Sequence, residues 1–409
     1  MIQDCLGLAP ASGPPRLTLA LVTETFPPEI NGVAMTLGHF VDGLRQRGHR
    51  LQLVRPRRCR ADTPTRQADF EEILAPGIPI PGYRGLRFGL PMPYRLRRLW
   101  TRQRPDLVHV ATEGPLGWSA LAAASQLGLP LTTSFHTRFD HYSAHYGCAW
   151  LQQPVAAYLR QFHARAAATF VPTAEMARTL QAQGYARVQV LARGVDQRLF
   201  DPARRSPALR ATWGVGEHGL AVLVVSRLAP EKNLPLAFAA FEAIQSVRPD
   251  ARLILVGDGP ARKPLAKTWP MAHFAGMRTG ADLAAHYASS DLFLFPSLTE
   301  TFGNVTLEAM ASGLPVVAYH AAAAGELIED GRSGRLAAPG DAAGFIAAAR
   351  DLAAAPDVRQ RLGRAARQRV ASMSWEAIHA RLESTLLQIA QRHAPLAMPT
   401  DPFLRIMED

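Results

Sequence analysis

The sequence of 409 residues has little cysteine and no long apolar run. Its three cysteines, Cys5, Cys59 and Cys148, are too few and too scattered for a disulfide framework or a zinc site. No apolar stretch approaches the roughly 18 residues that a membrane-spanning helix needs. The run LTLALV at 17–22 is also too short for the core of a signal peptide. We therefore expect a cytoplasmic protein.

Lysine is nearly absent, since 42 of the 45 basic residues are arginine. The net charge of +11 lies almost wholly in residues 1–200, which hold 23 arginines, no lysine and 13 acidic residues. Seven of these arginines alternate with Tyr, Phe, Leu, Met and Trp in residues 82–104. Such a mixture favours an anionic membrane surface, where each cation contributes about 1 kcal/mol. The alternative is a solvated face on which arginine stems cover apolar surface; we expect no nucleic-acid partner.

Two familiar nucleotide-binding motifs are missing. No GxxxxGK P-loop occurs, and VGDGPAR at 256–262 has Gly257 and Gly259 but lacks the third glycine of the dinucleotide fingerprint. The sequence therefore gives little support to an NAD or FAD enzyme.

Strand-like and helix-like segments alternate along the chain, which predicts an α/β fold with parallel sheets wrapped by helices. The pattern stops at the polar, proline-containing segment 201–216 and then starts again, which indicates two Rossmann-like domains facing each other across a cleft. The strands are predicted at 16–24, 51–56, 106–110, 129–136 and 169–173, and then at 220–228, 251–259, 272–276, 291–297 and 314–319.

The loop SRLAPEKN at 226–233 follows one of these strands and places Arg227 and Lys232 around Pro230. Parallel sheets bind ligands at the carboxyl ends of their strands. Two cations on one such loop are suited to a diphosphate, because arginine supplies a planar fork and lysine a mobile point charge. The alternative is a pair of surface cations with Glu231 as a local partner.

The segment SLTETFGNVTLEAMASG at 297–313 contains two acids, Glu300 and Glu308. A helix is predicted to start near Gly303 or Asn304, which places one acid before the helix and the other on its first or second turn. Free N–H groups at a helix start suit phosphate or sugar oxygens, and glycine permits close approach of the backbone. A carboxylate can accept both hydroxyls of a ribose. The alternative for Glu308 is a helix-capping role.

This pair, Glu300-x7-Glu308 with Phe302-Gly303-Asn304 between, resembles the signature of retaining, nucleotide-sugar-dependent glycosyltransferases of family 4, which have the GT-B fold. TETFPPEINGVAMT, SFHTRF, VPTAEM, ARGVD, SRLAPEKN and VGDGP resemble further family segments in family order, over roughly residues 17–390. The opening segment and SFHTRFDHY resemble bacterial mannosyltransferases that use GDP-mannose. Sulfoquinovosyl- and glucosyl-transferases that act on glycolipids are close relatives.

The resemblance implies a role for each matched position. Arg227 and Lys232 would hold the donor diphosphate, Glu300 would bind the sugar hydroxyls, and Glu308 would bind the ribose. His136, at the end of the SFH strand, would face the donor sugar, although a lone histidine there is also typical of a buried core. The other donor-site positions that the resemblance implies are Gly32, Asp258, Gly259, Met277 and the backbone of Phe302, Gly303 and Asn304.

No metal ion is expected. His141 and His145 are spaced like a pair of metal ligands on one helix face, but the sequence shows no third ligand nearby, and the resemblance implies neither a metal nor a cofactor. The donor would be a substrate, with GDP-mannose as the best match.

The resemblance also implies the reaction and which domain binds each substrate. A hexose, on the best match mannose, would move with retention from a nucleoside diphosphate to a hydroxyl of a lipid-linked or glycan acceptor. Residues 1–200 would bind the acceptor and residues 201–375 the donor, while 376–409 would form a helix packing across both domains and then a loose tail. The arginine-rich stretch would allow peripheral contact with the inner face of a membrane.

Several alternatives stay open at this stage. The donor could be a UDP-sugar used by a glucosyl- or sulfoquinovosyl-type glycolipid transferase, and a non-catalytic nucleotide-sugar-binding protein could share the fold. A sugar hydrolase is disfavoured, because the cationic loop would have no role in it. The acceptor, the base of the donor and the oligomeric state do not follow from the sequence.

Overall fold

The computed structural model describes residues 15–79, 87–136 and 152–393. In chain order, the elements of the first unit are β1 Thr18–Val22, α1 Gly32–Gln46, β2 Arg50–Pro56, β3 Phe70–Ala75, β4 Gly77–Pro79, β5 Arg87–Gly89, α2 Pro93–Arg102, β6 Leu107–Val110, α3 Pro115–Gln126, β7 Leu131–Ser134, α4 Gln152–His163, β8 Ala168–Val171, α5 Ala174–Ala182 and β9 Val188–Val190.

The second unit follows a short 3₁₀ turn at Pro202–Arg204, and a second such turn lies at Pro230–Lys232. Its elements are α6 Pro207–Thr212, β10 Ala221–Val225, α7 Leu234–Val247, β11 Arg252–Val256, α8 Arg262–Thr268, β12 His273–Gly276, α9 Gly280–Ala288, β13 Leu292–Phe295, α10 Asn304–Ala311, β14 Val316–Tyr319, α11 Ala322–Leu327, β15 Gly334–Ala337, α12 Ala342–Ala354 and α13 Pro356–Val370. The helix α14, Trp375–His393, comes last.

Each unit is built on one parallel sheet. The first sheet has seven strands in the order β3-β2-β1-β6-β7-β8-β9, and the second has six in the order β12-β11-β10-β13-β14-β15. A separate two-stranded ladder joins β4 and β5 in antiparallel fashion. The predicted α/β architecture with two Rossmann-like units is therefore confirmed.

Both faces of each sheet are buried. Along β1, Leu19 and Leu21 join one apolar cluster while Ala20 and Val22 join another. Successive side chains of a strand point to opposite faces, so these clusters lie on the two sides of the sheet. This double burial explains why the central strands read as continuous apolar runs.

All ten predicted strands exist, but five further strands were not predicted: β4 and β5 of the separate ladder, and three edge strands of the two large sheets. These edge strands are β3 and β9 at the edges of the first sheet and β15 at an edge of the second. An edge strand has a neighbour on one side only, so its sequence need not be uniformly apolar. In β3, for example, buried and partly buried residues alternate, and Glu72 is buried through an ion pair with Arg55 at 2.8 Å.

The helix α14 returns to the first unit. Its buried apolar side chains belong to the core cluster of α1 and β1. They recur at helical spacing along one face: Ile378, Leu382, Leu386 and Ile389. The sequence analysis expected this helix to pack across both domains; its buried apolar stripe lies on the first unit, and packing on the second unit stays a prediction.

The carboxyl edges of the two sheets face each other. Helix α5 starts just after β8, and α11 starts just after β14, so each helix start marks the carboxyl edge of its sheet. The Glu175 backbone N–H donates to Glu326 Oε1 at 3.0 Å, and the Ala322 N–H donates to Glu175 Oε2 at 3.2 Å. These reciprocal bonds join the two helix starts, and the cleft lies beside them. Within the described ranges, none of the helices combines the length and the apolar character needed to cross a membrane.

Candidate active site

The predicted cationic loop lies at the carboxyl end of β10, beside the loop that follows β13. Lys232 Nζ lies 2.5 Å from Glu300 Oε1, and both side chains are largely buried. Two further bonds join the loops: Thr299 Oγ1 donates to the Glu231 carbonyl at 3.1 Å, and Asn233 Nδ2 donates to the Pro296 carbonyl at 3.3 Å. The structure thus brings together a cation and an acid that are 68 residues apart in sequence.

Arg227 lies on the same loop and is ion-paired with Glu231, whose side chain is buried. The local partner that the sequence analysis considered as an alternative is therefore present. The guanidinium group is still more than a third exposed. A buried acid that holds an accessible guanidinium group sets the direction of the arginine fork before any anion arrives.

Helix α10 begins at Asn304, as predicted, and Gly303 precedes it with a φ of 90°. A β-carbon at this glycine would lie 3.1 Å from the Phe295 ring, so both the backbone conformation and the space favour glycine. Among the described residues no side chain caps the start of the helix. The Thr306 N–H donates to the Gly303 carbonyl at 3.0 Å, so the N–H groups of Asn304 and Val305 are the ones available to a ligand. The side chain of Phe302 is buried in the core, so only its backbone can belong to the site.

Glu308 lies on the second turn of α10 and is held by a residue that sequence reasoning missed. Tyr287 Oη donates to Glu308 Oε2 at 2.9 Å. Burial raises the pKa of Glu308 to about 7, and the hydrogen bond from Tyr287 only partly opposes this. The side-chain bond found here goes to a phenol, so the capping alternative does not describe this carboxylate.

The turn formed by Gly257, Asp258 and Gly259 packs directly under the cationic loop. The Leu228 N–H donates to the Asp258 carbonyl at 2.9 Å. A β-carbon on Gly257 would lie 1.9 Å from the Ser226 carbonyl oxygen, and one on Gly259 would lie 2.4 Å from that of Leu228. The turn therefore sets the position of the cationic loop, while the half-exposed carboxylate of Asp258 lies 3.6 Å from Arg262.

Gly257→Ala is expected to destabilise the protein by about 2–4 kcal/mol, because the new methyl overlaps a carbonyl oxygen and φ is +133°. The measurement is the free energy of unfolding in urea. Gly216→Ala is the matched control, since nothing lies within 4 Å of its β-carbon position, and it should change stability by no more than about 1 kcal/mol. Equal stability of the two variants would contradict this account of the turn.

His136 follows β7 in the first unit and is bound by Arg193, another residue to which the sequence analysis gave no role. Arg193 Nη2 lies 2.7 Å from His136 Nδ1, and both side chains are more than nine-tenths buried. Burial, assisted by the positive charge of Arg193, holds the pKa of His136 well below its usual range. A guanidinium group can only donate, so Nδ1 must accept and the ring proton resides on Nε2. In the part of the chain that the structure describes, Nε2–H has no hydrogen-bond partner.

Gly32, one of the implied donor-site positions, is the first residue of α1, directly after the loop that follows β1. Asn31 caps this helix by accepting from the N–H groups of Val33 and Ala34, at 3.1 and 2.8 Å. Nothing lies within 4 Å of the β-carbon position of Gly32, so the space in front of it is open. A ligand in the cleft can therefore approach its backbone.

The structure describes only some of the remaining predicted residues. Met277 is 46% exposed in the segment after β12, and no hydrogen bond or ion pair links it to the other site residues. His141 and His145 lie outside the described residues. Among the residues that are described, no group of three or more His, Cys, Asp or Glu side chains is arranged to hold a metal ion.

The chain is similar to known glycosyltransferases over most of its length. Residues 30–199 match the model of Glycosyltransferase Family 4, and residues 219–355 match that of Glycosyl transferases group 1. A GDP-mannose-dependent alpha-mannosyltransferase of Mycolicibacterium smegmatis is 35% identical over 88% of this chain and 95% of its own length. The sulfoquinovosyl transferase SQD2 of Arabidopsis thaliana is 32% identical over 90% of this chain and 72% of its own length.

A solved structure shows the same fold. The sucrose-phosphate synthase of Thermosynechococcus elongatus superposes with a TM-score of 0.77 at 18% identity, over 92% of this chain and 99% of that one. The two facing units with their parallel sheets thus have the GT-B fold, and the family matches define the class as glycosyltransferase. The chain belongs to glycosyltransferase family 4, close to the GDP-mannose-dependent alpha-mannosyltransferases.

Proposed function

We propose that this enzyme transfers mannose from GDP-mannose, with retention of configuration, to a hydroxyl of a lipid-linked or glycan acceptor. The observation that carries the proposal is the meeting of Lys232 with Glu300 beside Arg227 and the uncapped start of α10. The second unit would bind the donor and the first unit the acceptor. The similarity to mannosyltransferases supports the choice of donor, and UDP-sugars are the alternative, supported by the similarity to SQD2.

The leaving group of this reaction is a nucleoside diphosphate, on which negative charge develops as the glycosidic bond breaks. Lys232, Arg227 and the first N–H groups of α10 are positioned to stabilise that charge. Without a ligand, Lys232 is neutralised by Glu300. A bound diphosphate would compete for the lysine and leave the Glu300 carboxylate free to accept hydrogen bonds from the sugar hydroxyls. The ion pair between Lys232 and Glu300 would thus be replaced by a contact of Lys232 with the diphosphate and a contact of Glu300 with the sugar.

His136 would act from the other side of the cleft. Its Nε2–H is the donor available for a sugar hydroxyl, because Nδ1 is occupied by Arg193. Arg193 is then a positioning residue that holds the ring in one tautomer. The acceptor hydroxyl would attack from the face of the leaving group, and a phosphate oxygen of the donor would take its proton. No step in this scheme requires a metal ion or a cofactor.

The arginine-rich stretch supports a lipid-linked acceptor, although residues 82–86 of it lie outside the described part. In α2, Leu96 and Trp100 are buried, while Tyr94 is 78% exposed and lies beside exposed arginines. We include contact with an anionic membrane surface in the proposed function, since cations and an aromatic side chain on one helix suit that environment.

A thermal-shift panel of GDP, UDP and ADP tests the choice of donor. A nucleotide present at 100 times its dissociation constant should stabilise the folded protein by about 2.7 kcal/mol. We expect GDP to give the largest shift and Lys232→Ala to reduce it. A larger shift with UDP would replace the proposed donor, and no shift with any nucleotide would contradict nucleotide-sugar transfer altogether.

A further inference from the structure

A cavity lies in the first unit, apart from the cluster of Lys232 and Glu300. Its volume is about 450 Å³, and four arginines contribute to its wall. These are Arg57, Arg60, Arg87 and Arg95, with Leu74 and Pro76 as apolar neighbours. They come from three different regions of the chain, the segment after β2, the strand β5 and the helix α2, so the cluster is created by the fold.

In the described part of the chain, the four guanidinium groups have no acidic partners. Across residues 15–79, 87–136 and 152–393, no carboxylate lies within ion-pair distance of any of them. The neighbouring Arg58 is paired, since its Nη2 lies 3.0 Å from Asp62 Oδ1. Like charges gathered without counter-ions repel one another, and this repulsion is relieved when an anion binds among them.

One of the four carries an unused donor. Arg87 Nη2 donates to the Gly77 carbonyl at 2.5 Å, which fixes the side chain against the cavity wall. Its Nε is buried and has no hydrogen-bond partner in the described structure. A buried donor without a partner carries a desolvation cost that a ligand oxygen would remove.

The cavity opens at the carboxyl edge of the first sheet, the edge at which parallel sheets bind ligands. Arg57 follows directly after β2, and Pro76 follows directly after β3. The loop after β1 reaches the same place, because Arg58 Nη1 donates to the Pro27 carbonyl at 2.9 Å. That loop leads to Gly32 at the start of α1, so the cavity and Gly32 lie on the same carboxyl edge of the first unit.

Apolar side chains lie on the other side of the β4–β5 ladder from Arg87, because successive residues of a strand point to opposite faces. Ile78 and Phe88 are directly opposite each other in the β4–β5 ladder and are 51% and 40% exposed. Residues opposite each other in an antiparallel pair point to the same side of the ladder. The surroundings of the cavity therefore offer one face to a charged group and another to hydrocarbon.

We propose that this cavity binds an anionic group, a phosphate or a carboxylate, carried by the acceptor. The inference rests on the proposed function in one respect, namely that the first unit binds the acceptor. The planar forks of several arginines suit the oxygens of both groups. The acceptor would thus be recognised by its charge as well as by the hydroxyl that receives the sugar.

Phosphate binding to the full chain, measured by calorimetry with inorganic phosphate, tests the site. Arg57→Gln/Arg95→Gln removes two cations of the cavity, and we expect it to weaken phosphate binding about 10-fold or more. The matched control, Arg160→Gln/Arg178→Gln, removes the same charge from exposed positions of α4 and α5, which lie outside the arginine-rich stretch and do not line the cavity. The control should bind phosphate like the wild type. Equal phosphate affinity of the two double variants would overturn the proposal.

A second set of measurements separates this site from the donor site. Lys232→Ala should retain the cavity-dependent phosphate binding, and the cavity variant should retain nucleotide binding. If the wild type bound no nucleotide, the proposed function would fail while the result on the cavity stood. If Lys232→Ala abolished all phosphate binding, the anion would be assigned to the donor site and the cavity proposal would fail.

Sedimentation with vesicles identifies the source of the anion. If the cavity variant loses binding to phosphatidylglycerol vesicles while the control keeps it, and phosphatidylcholine vesicles bind neither, the group is a lipid headgroup. If both double variants sediment alike but only the cavity variant loses phosphate binding, the acceptor is water-soluble and carries the anionic group. Both outcomes support an anion site in the cavity.

Discussion

Lys232→Ala lowers the turnover number by about 10²-fold or more, if this lysine stabilises the charge that develops on the leaving diphosphate. The expected loss is large because the ammonium group is mostly buried beside Glu300, where an electrostatic contact is screened less than at the surface. Steady-state transfer of radiolabelled mannose from GDP-mannose, with an extracted glycolipid fraction as acceptor, is the measurement.

The chain supplies a matched control, because its other lysines, Lys263 and Lys267, are both exposed on or beside α8. Lys267→Ala removes the same charge and should leave turnover near that of the wild type. Glu300→Ala should lose about as much turnover as Lys232→Ala, since each residue would contact the donor in the transition state. Near-normal activity of either site variant would remove that residue from the mechanism.

The double variant Lys232→Ala/Glu300→Ala adds a sharper test of the proposed exchange of partners. Two residues that act as a unit lose less together than the product of their separate losses. We expect the double variant to be little worse than the poorer single variant. Independent, multiplicative losses would mean that the ion pair between the two side chains has no part in binding the donor.

The sequence was sufficient to predict the parts of the fold that depend on local pattern. The buried central strands appear as apolar runs, and the start of α10 appears in the glycine before Asn304. The position of the cationic loop followed from a general rule, since ligand-binding loops of parallel sheets lie at the carboxyl ends of strands. Lys232 and Glu300 could therefore be assigned to one edge of one sheet before any distance was known.

What could not be predicted depends on pairing over long distances. Arg193 is 57 residues from His136, and no periodicity in the sequence connects them. Tyr287 lies on α9, one helix before Glu308, where it is indistinguishable from any other buried aromatic residue. The side on which α14 packs was equally hidden, because an amphipathic stripe shows that a helix is buried but not against which unit.

The pairing of Glu308 with Tyr287 leads to the second large effect, a dependence of nucleotide affinity on pH. The pKa of Glu308 is about 7, because the carboxyl group is buried and only Tyr287 donates to its side chain in the described structure. A ribose hydroxyl donates more strongly to the ionised carboxylate than to the neutral acid. Between pH 8 and pH 6 the ionised fraction falls about tenfold, so GDP affinity should fall by about the same factor.

Glu308→Gln separates this effect from the titration of the nucleotide itself, whose terminal phosphate has a pKa of about 6. Glutamine keeps the shape and accepts hydrogen bonds but does not titrate in this range. Its GDP affinity should be lower than that of the wild type at pH 8 and should follow only the phosphate titration as the pH falls. Isothermal titration at several pH values provides the comparison. Parallel pH profiles of the wild type and the glutamine variant would show that Glu308 does not contact the ribose.

The same pKa predicts a change in stability whose direction is fixed by linkage. The carboxyl group of Glu308 has its ordinary pKa near 4.5 when the chain is unfolded and about 7 when it is folded. Its contribution to stability is therefore complete below pH 4.5 and is lost as the pH rises to 7, a change of about 3 kcal/mol. Burial also raises the pKa of Glu24 to about 7, so Glu24 titrates over the same range. Its effect on stability must be removed by comparing two proteins that both contain Glu24.

The stability of Glu308→Gln relative to the wild type should therefore increase from pH 4.5 to pH 7 and stay constant above it. The comparison isolates Glu308, because Glu24 titrates in both proteins. Urea unfolding at intervals across this range is the measurement. A difference that does not change with pH would mean that Glu308 is ionised throughout, and nucleotide affinity would then be expected to lack the pH dependence as well. The two experiments thus test one carboxyl group by independent readouts, one with ligand and one without.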